Sequence, residues 1–130
     1  MADRANGIFK IAAWNEQTYT ELEDGGKLTQ ASVKQAFSGD IEGEGAVEWL
    51  MCYRPDETAD FVGLQRVVGQ LGRRSGSFVL LQTAGTFDGK EARGALSVVP
   101  GSGTGDLRGT GEFRAPLGSE AAVTLEYELD

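Results

Sequence analysis

Nineteen glycines are spread through the chain from Gly7 to Gly118 instead of gathering in one linker, and this dispersal limits the fold more than any other feature. The share is about twice the ~7% usual in proteins. A glycine inside a helix lowers stability by up to about 1 kcal/mol relative to alanine, whereas turns, bulges and curved strands use its freedom directly. Long helices are disfavoured. A chain of 130 residues with 40% apolar side chains is long enough for one domain with its own core, so residues 1–130 are read as a single domain, with 1–6 as a flexible N-terminus.

The remaining pattern has a period of two. From Ile41 to Arg54, the residues Ile41, Gly43, Gly45, Val47, Trp49, Met51 and Tyr53 alternate with Glu42, Glu44, Ala46, Glu48, Leu50, Cys52 and Arg54, which reads as a long strand with one buried face. Pro55-Asp56-Glu57-Thr58 supplies turn chemistry, and Ala59 to Leu71 resumes the extended pattern. Gly72-Arg73-Arg74-Ser75-Gly76 turns into Ser77–Phe87. Asp88-Gly89 is a hairpin signal leading into Lys90–Val99. Two further segments, Leu107–Arg114 and Ala121–Leu129, follow the glycine-rich stretch after Pro100 and the turn at Ala115–Ser119. At the front, Ile8–Trp14 suits a strand. Leu28–Ser38 could pair Val33 with Phe37 on a helix, but Ala31, Val33, Gln35 and Phe37 also fit a strand, which is the preferred reading.

About eight antiparallel segments joined by short turns either stack as a sandwich or close on themselves, because open sheet edges invite aggregation. Closure is the simpler solution. The fold class expected is all-β, an up-and-down antiparallel β-barrel of about eight strands, whose interior is wide enough for packed side chains or one small ligand. Inward glycines such as Gly43, Gly45, Gly109 and Gly111 would relieve crowding and could leave space inside. The sandwich stays open as the rival.

A resemblance adds to this reading. The runs Phe61-Val62-Gly63-Leu64-Gln65-Arg66, Gly72-Arg73-Arg74-Ser75-Gly76-Ser77-Phe78-Val79-Leu80, Gly85-Thr86-Phe87-Asp88-Gly89 and Val98-Val99-Pro100-Gly101-Ser102-Gly103-Thr104-Gly105-Asp106-Leu107 are together similar to an uncharacterised bacterial family. That family resembles the allene oxide cyclase barrel, a lipocalin-like fold. The resemblance implies a barrel and, by analogy with the cyclase, an isomerase or cyclase that holds a substrate in shape. Where this chain has Gln65 the family commonly carries glutamate, and a histidine is common in the strand holding Gln82 and Thr83, so no acid or base role is carried over.

Composition removes several mechanisms. The chain contains no histidine, which excludes triads using imidazole as base and histidine-built metal sites. Its single cysteine, Cys52, closes no disulfide or thiolate cage within the chain, fits a reducing compartment, and falls on the outward face by alternation. Twelve basic and twenty acidic residues give a net charge of −8, of which residues 1–65 carry −7 (five basic, twelve acidic). That charge repels nucleic acid and anionic membrane surfaces. No stretch approaches the roughly 20 apolar residues of a membrane-spanning helix, and no secretory signal opens the chain. A cytoplasmic location is expected.

Other motifs read as structure. Gly101-Ser102-Gly103-Thr104-Gly105 lacks the lysine and following helix of a nucleotide loop and is taken as a turn between strands. Glu42, Glu44 and Glu48 form a solvated outer face, and Asp56, Glu57 and Asp60 are too sparse for calcium. Neither a metal nor a cofactor is expected. The chemically interesting set faces inward: Trp49, Met51 and Tyr53 share a face that Phe61, Gln65, Phe78, Gln82 and Tyr127 could meet. Apolar walls with a few polar groups describe either a small-molecule pocket or a satisfied core. Three functions follow: binding of a small apolar molecule inside the barrel, isomerase or cyclase chemistry with Gln65, Tyr53 and Tyr127 orienting the substrate, or a filled barrel that associates with itself as a homodimer or with another protein through exposed Leu50 and Val62.

Overall fold

Period-two sequence becomes strand throughout. The computed structural model describes residues 3–72, 74–103, 107–116 and 121–129, arranged as β1 (Asp3–Glu21), β2 (Lys27–Gly39), β3 (Ile41–Tyr53), β4 (Ala59–Leu71), β5 (Arg74–Phe87), β6 (Glu91–Val98), β7 (Leu107–Pro116) and β8 (Ala121–Leu129). Each strand pairs antiparallel with its sequence neighbours, and β8 returns to β1 through the ladder Asp3↔Tyr127 to Phe9↔Ala121. The result is a closed eight-stranded barrel, which decides against two stacked sheets. Leu28–Ser38 lies within β2, bonded on one side to β1 and on the other to β3. A helix there would have left both neighbours with unpaired edges.

The alternation sorts the faces. Ala31, Val33, Phe37, Val47, Trp49, Met51, Phe61 and Val67 are buried in one core, while Glu42, Glu44 and Glu48 between them are exposed. The turns β1–β2, β3–β4 and β5–β6 lie at one end of the barrel, called the rim; those joining β2–β3 and β4–β5 lie at the other, the base. Aspartate side chains cap two of the rim turns. Asp56 accepts from the Thr58 amide at 3.0 Å and from its hydroxyl at 2.6 Å, and Asp88 accepts from the amides of Lys90 and Glu91, each at 2.9 Å. These bonds favour the ionised carboxylates and hold both below the usual range.

At the base, the segment 3–6 is part of the sheet. β1 begins at Asp3, Ala5 is 1% exposed, and the Asn6 amide donates to the Asp40 carboxylate at 3.0 Å. Asp40 also donates its amide to the Asn6 carbonyl and accepts the Gly72 amide at 2.8 Å, so one turn residue ties together the start of β1, the β2–β3 turn and the β4–β5 turn.

Aromatic rings occupy the space beside four inward glycines. An added Cβ at Gly45 would meet the Phe37 ring, at Gly63 the Trp49 ring, at Gly85 the Phe61 ring and at Gly94 the Phe113 ring. Each of these rings lies against a glycine of an adjoining strand, as when an aromatic covers backbone that would otherwise be bare. Backbone freedom itself is required at the paired Gly43 and Gly69, with φ of +140° and +153°. A Cβ on either would run into the carbonyl of the facing strand, at Val68 or Glu42. Gly69→Ala is therefore expected to lower unfolding stability by about 1–3 kcal/mol, read as a lower urea midpoint with an unchanged m-value.

Candidate functional site

β1 is the one strand whose two ladders barely overlap. Its β8 partners end at Phe9, whereas its β2 partners continue to Glu21. From Lys10 onward, β1 thus runs on to the rim past the end of β8, with β2 alone beside it. A register shift between Ile11 and Ala13 inserts one extra residue, and such a bulge moves every later side chain to the other face. Before it, Ala5 and Phe9 point inward; after it, Trp14 faces Val33 and Glu16 faces Ala31, both inward positions of β2.

This places a carboxylate among aromatic rings. Trp14, 47% exposed, sits with its ring 5.6 Å from that of buried Trp49 and donates its indole N–H to Glu16 Oε1 at 3.1 Å. Buried Thr29 donates its hydroxyl to Glu16 Oε2 at 2.7 Å. The Tyr53 hydroxyl donates to Met51 Sδ at 3.7 Å and lies close enough to Glu16 to feel its carboxylate. Burial first, then the hydrogen bond and charge of Glu16, push the Tyr53 phenol up to about 12. It is therefore a proton-bearing donor at neutral pH and not a base. The Lys27 ammonium lies 5.2 Å from the centre of the Tyr53 ring.

Below this cluster the rings continue as Trp49–Phe61, Phe61–Phe113, Phe113–Phe9 and Phe9–Phe37, with centroids 5.4–6.3 Å apart. Phe61 of β4 and Phe113 of β7 meet across the barrel, so side chains span the interior at this level. A polar relay runs beside them. The Trp49 indole donates to Gln82 Oε1, Gln82 Nε2 donates to Gln65 Oε1 at 2.9 Å, and Gln65 Nε2 donates to Gln35 Oε1. An indole nitrogen can only donate, so Trp49 sets the direction of all three amides. The relay ends on Gln35 Nε2, which is buried without a protein partner.

All eight candidate residues therefore face the interior, but they do not form one cluster. Trp49, Met51, Tyr53 and Phe61 gather toward the rim, and Gln65 and Gln82 lie in the relay. Phe78 pairs in register with Val67, below Gln65, and the Tyr127 hydroxyl lies near Gly72 in the β4–β5 turn, at the base. Tyr53 and Tyr127 thus occupy opposite ends. Trp14, Glu16, Thr29 and Gln35 complete the picture. Gln35 carried a readable signal, its place in the Ala31–Phe37 alternation; Trp14 and Glu16 did not, because the bulge that turns them inward has no mark in the sequence pattern. Cys52 is exposed, as its position predicts. Ser102 of the glycine-rich stretch accepts the Val79 amide at 3.0 Å, which makes it a tie between strands; Thr104 and Gly105 lie outside the described residues.

A small closed antiparallel barrel with an aromatic interior and one polar cluster at its rim defines the class. Residues 5–127 match the model of a family described as "Protein of unknown function (DUF3224)", and the chain belongs to that family. A crystal structure of a DUF3224 protein of unknown function from Shewanella oneidensis MR-1 is 26% identical, with a TM-score of 0.82, covering 100% of this chain and 99% of that one. No curated protein matches the chain.

Two measurements follow from this geometry. In a spectrophotometric titration, the Tyr53 phenol is expected to ionise near pH 12, and Glu16→Gln to lower that midpoint only part of the way to 10.0, because burial is the leading cause. Since the folded pKa is the raised one, the stability contributed by Tyr53 is complete below pH 10 and is lost as pH rises through about 12. For the relay, Gln65→Leu leaves Gln82 Nε2 and Gln35 Oε1 without their partner and is expected to cost about 2 kcal/mol or more in urea unfolding.

Proposed function

We propose that the barrel binds a small, mainly apolar molecule at its rim, with the apolar body against Trp14, Trp49 and Phe61 and a polar end at Glu16. The observation that carries this reading is the half-exposed Trp14 turned onto the inner register beside a carboxylate that Trp14 and Thr29 hold in place. Apolar walls with a few convergent polar groups are the usual composition of a ligand site, and an indole that only served the core would be covered by it. The level of Phe61 and Phe113 forms the floor. The site so defined uses Trp49, Met51, Tyr53 and Phe61 of the inward set and leaves Phe78 and Tyr127 to the packing of the base.

A second reading, association of two copies of the chain, is favoured by the outer face. Leu50 and Val62 are a direct cross-strand pair, as are Leu64 and Leu81, and the four are 38–54% exposed side by side on β3, β4 and β5. Light scattering distinguishes the two: a concentration-independent monomer removes association and leaves the rim reading untouched.

The rim site is tested with 1-hexanol as a neutral apolar probe, followed through the indole N–H signals of Trp14 and Trp49 in 1H–15N NMR spectra. Both signals are expected to shift saturably, and Trp14→Ala to weaken binding about tenfold or more, or roughly 1.4 kcal/mol. Indole signals that do not move at any soluble concentration of the probe overturn the reading.

A further inference from the structure

Glu16 is surrounded by donors that carry no charge. The Trp14 indole and the Thr29 hydroxyl each donate to one of its oxygens, which leaves about half of the roughly four lone-pair positions of a carboxylate, and among the described residues no ammonium or guanidinium forms an ion pair with it. These neutral donors orient the carboxylate without cancelling its charge. Beside it lie the half-exposed Trp14 indole, whose ring is 5.6 Å from that of Trp49, and the Tyr53 phenol. Aromatic faces next to a carboxylate attract organic cations, tryptophan most strongly. The chain already uses this attraction, since Lys27 holds its ammonium over the Tyr53 ring.

The wider field has the same sign. Of the net charge of −8, residues 1–65 carry −7, and those residues contain β1, β2, β3 and the start of β4, the strands that build the rim site. A net negative field attracts small cations and repels carboxylates and phosphates.

We propose that the rim site takes an organic ammonium ion, with its charged nitrogen at Glu16 and its carbon chain against Trp14 and Trp49. This rests on the rim-binding reading above and names the chemistry of the polar end. An N–H-bearing alkylammonium suits the site best, because it donates to the acceptor positions of Glu16 that Trp14 and Thr29 leave open while its weakly hydrated carbons cover the indoles.

Three probes of equal chain length test the assignment: n-hexylammonium, 1-hexanol and hexanoate, titrated against the full chain at low salt with the Trp14 and Trp49 indole signals as readout. Hexylammonium is expected to bind at least tenfold more tightly than hexanol, and hexanoate more weakly than either. Raising sodium chloride from 20 to about 300 mM should weaken hexylammonium severalfold without weakening hexanol, as expected for an attraction between charges. Glu16→Gln, which keeps an acceptor oxygen but removes the charge, should bring hexylammonium and hexanol to within threefold of each other. If that variant does not fold, the salt series on the unaltered chain decides alone. Hexanol binding with no preference for hexylammonium overturns the ammonium assignment and leaves the rim site standing; indole signals that respond to none of the three overturn both.

Discussion

Ring closure makes β1 serve two neighbours, and most of what is distinctive here follows from that constraint. Closing a sheet of eight strands requires the strands to tilt and their register to stagger. The accumulated offset appears where the last strand returns to the first. β1 absorbs it by giving its opening residues to β8 and its remainder to β2, with an overlap confined to Gly7–Phe9. The overrun lifts Trp14 and Glu16 above the level at which β8 ends, and the bulge at Ile11–Ala13 turns them inward. The rim cluster is thus a by-product of closing the barrel, later supplied with donors by β2 and β3.

Packing inside the ring depends on pairing large with absent. Phe37, Trp49, Phe61 and Phe113 each cover a glycine, which lets the rings lie against the wall while still meeting one another across the interior. A wall of β-branched residues at those positions would push the rings toward the axis, where eight strands offer little room. The dispersed glycines are in this sense half of the aromatic core. The amides of Gln35, Gln65 and Gln82 satisfy each other within that apolar setting in an order imposed by the donor-only indole of Trp49, since a buried amide without a partner is costly.

Much of this was legible beforehand. The strands from Ile41 to Leu129 fall within a few residues of where alternation and turn chemistry put them, because the period of two is local and needs only neighbouring residues to express it. The inward set Trp49, Met51, Tyr53, Phe61, Gln65, Phe78, Gln82 and Tyr127 was legible for the same reason. The length of β1 was not. Its second half, from Asn15 to Glu21, is polar on both faces because it stands at the rim with one neighbour, so it carries no alternation to read. The opening residues Asp3–Asn6 carry little apolar surface beyond Ala5, and the β8 ladder and Asp40 hold them. The division of the inward set between rim and base was equally hidden, since Tyr53 and Tyr127 share a face pattern but belong to strands running in opposite directions.

What the amino-acid sequence determined alone is the material: strands in place of helices, which side chains turn inward on each regular strand, an acidic surface, and the absence of imidazole chemistry. What the tertiary structure decided is height. Alternation assigns a residue to a face but says nothing of which residues on different strands share a level, because that depends on the stagger summed around all eight strands and on a one-residue bulge that no local propensity marks. Only when the ring closes do Glu16, Thr29, Trp49 and Tyr53, drawn from three strands, arrive at the same opening.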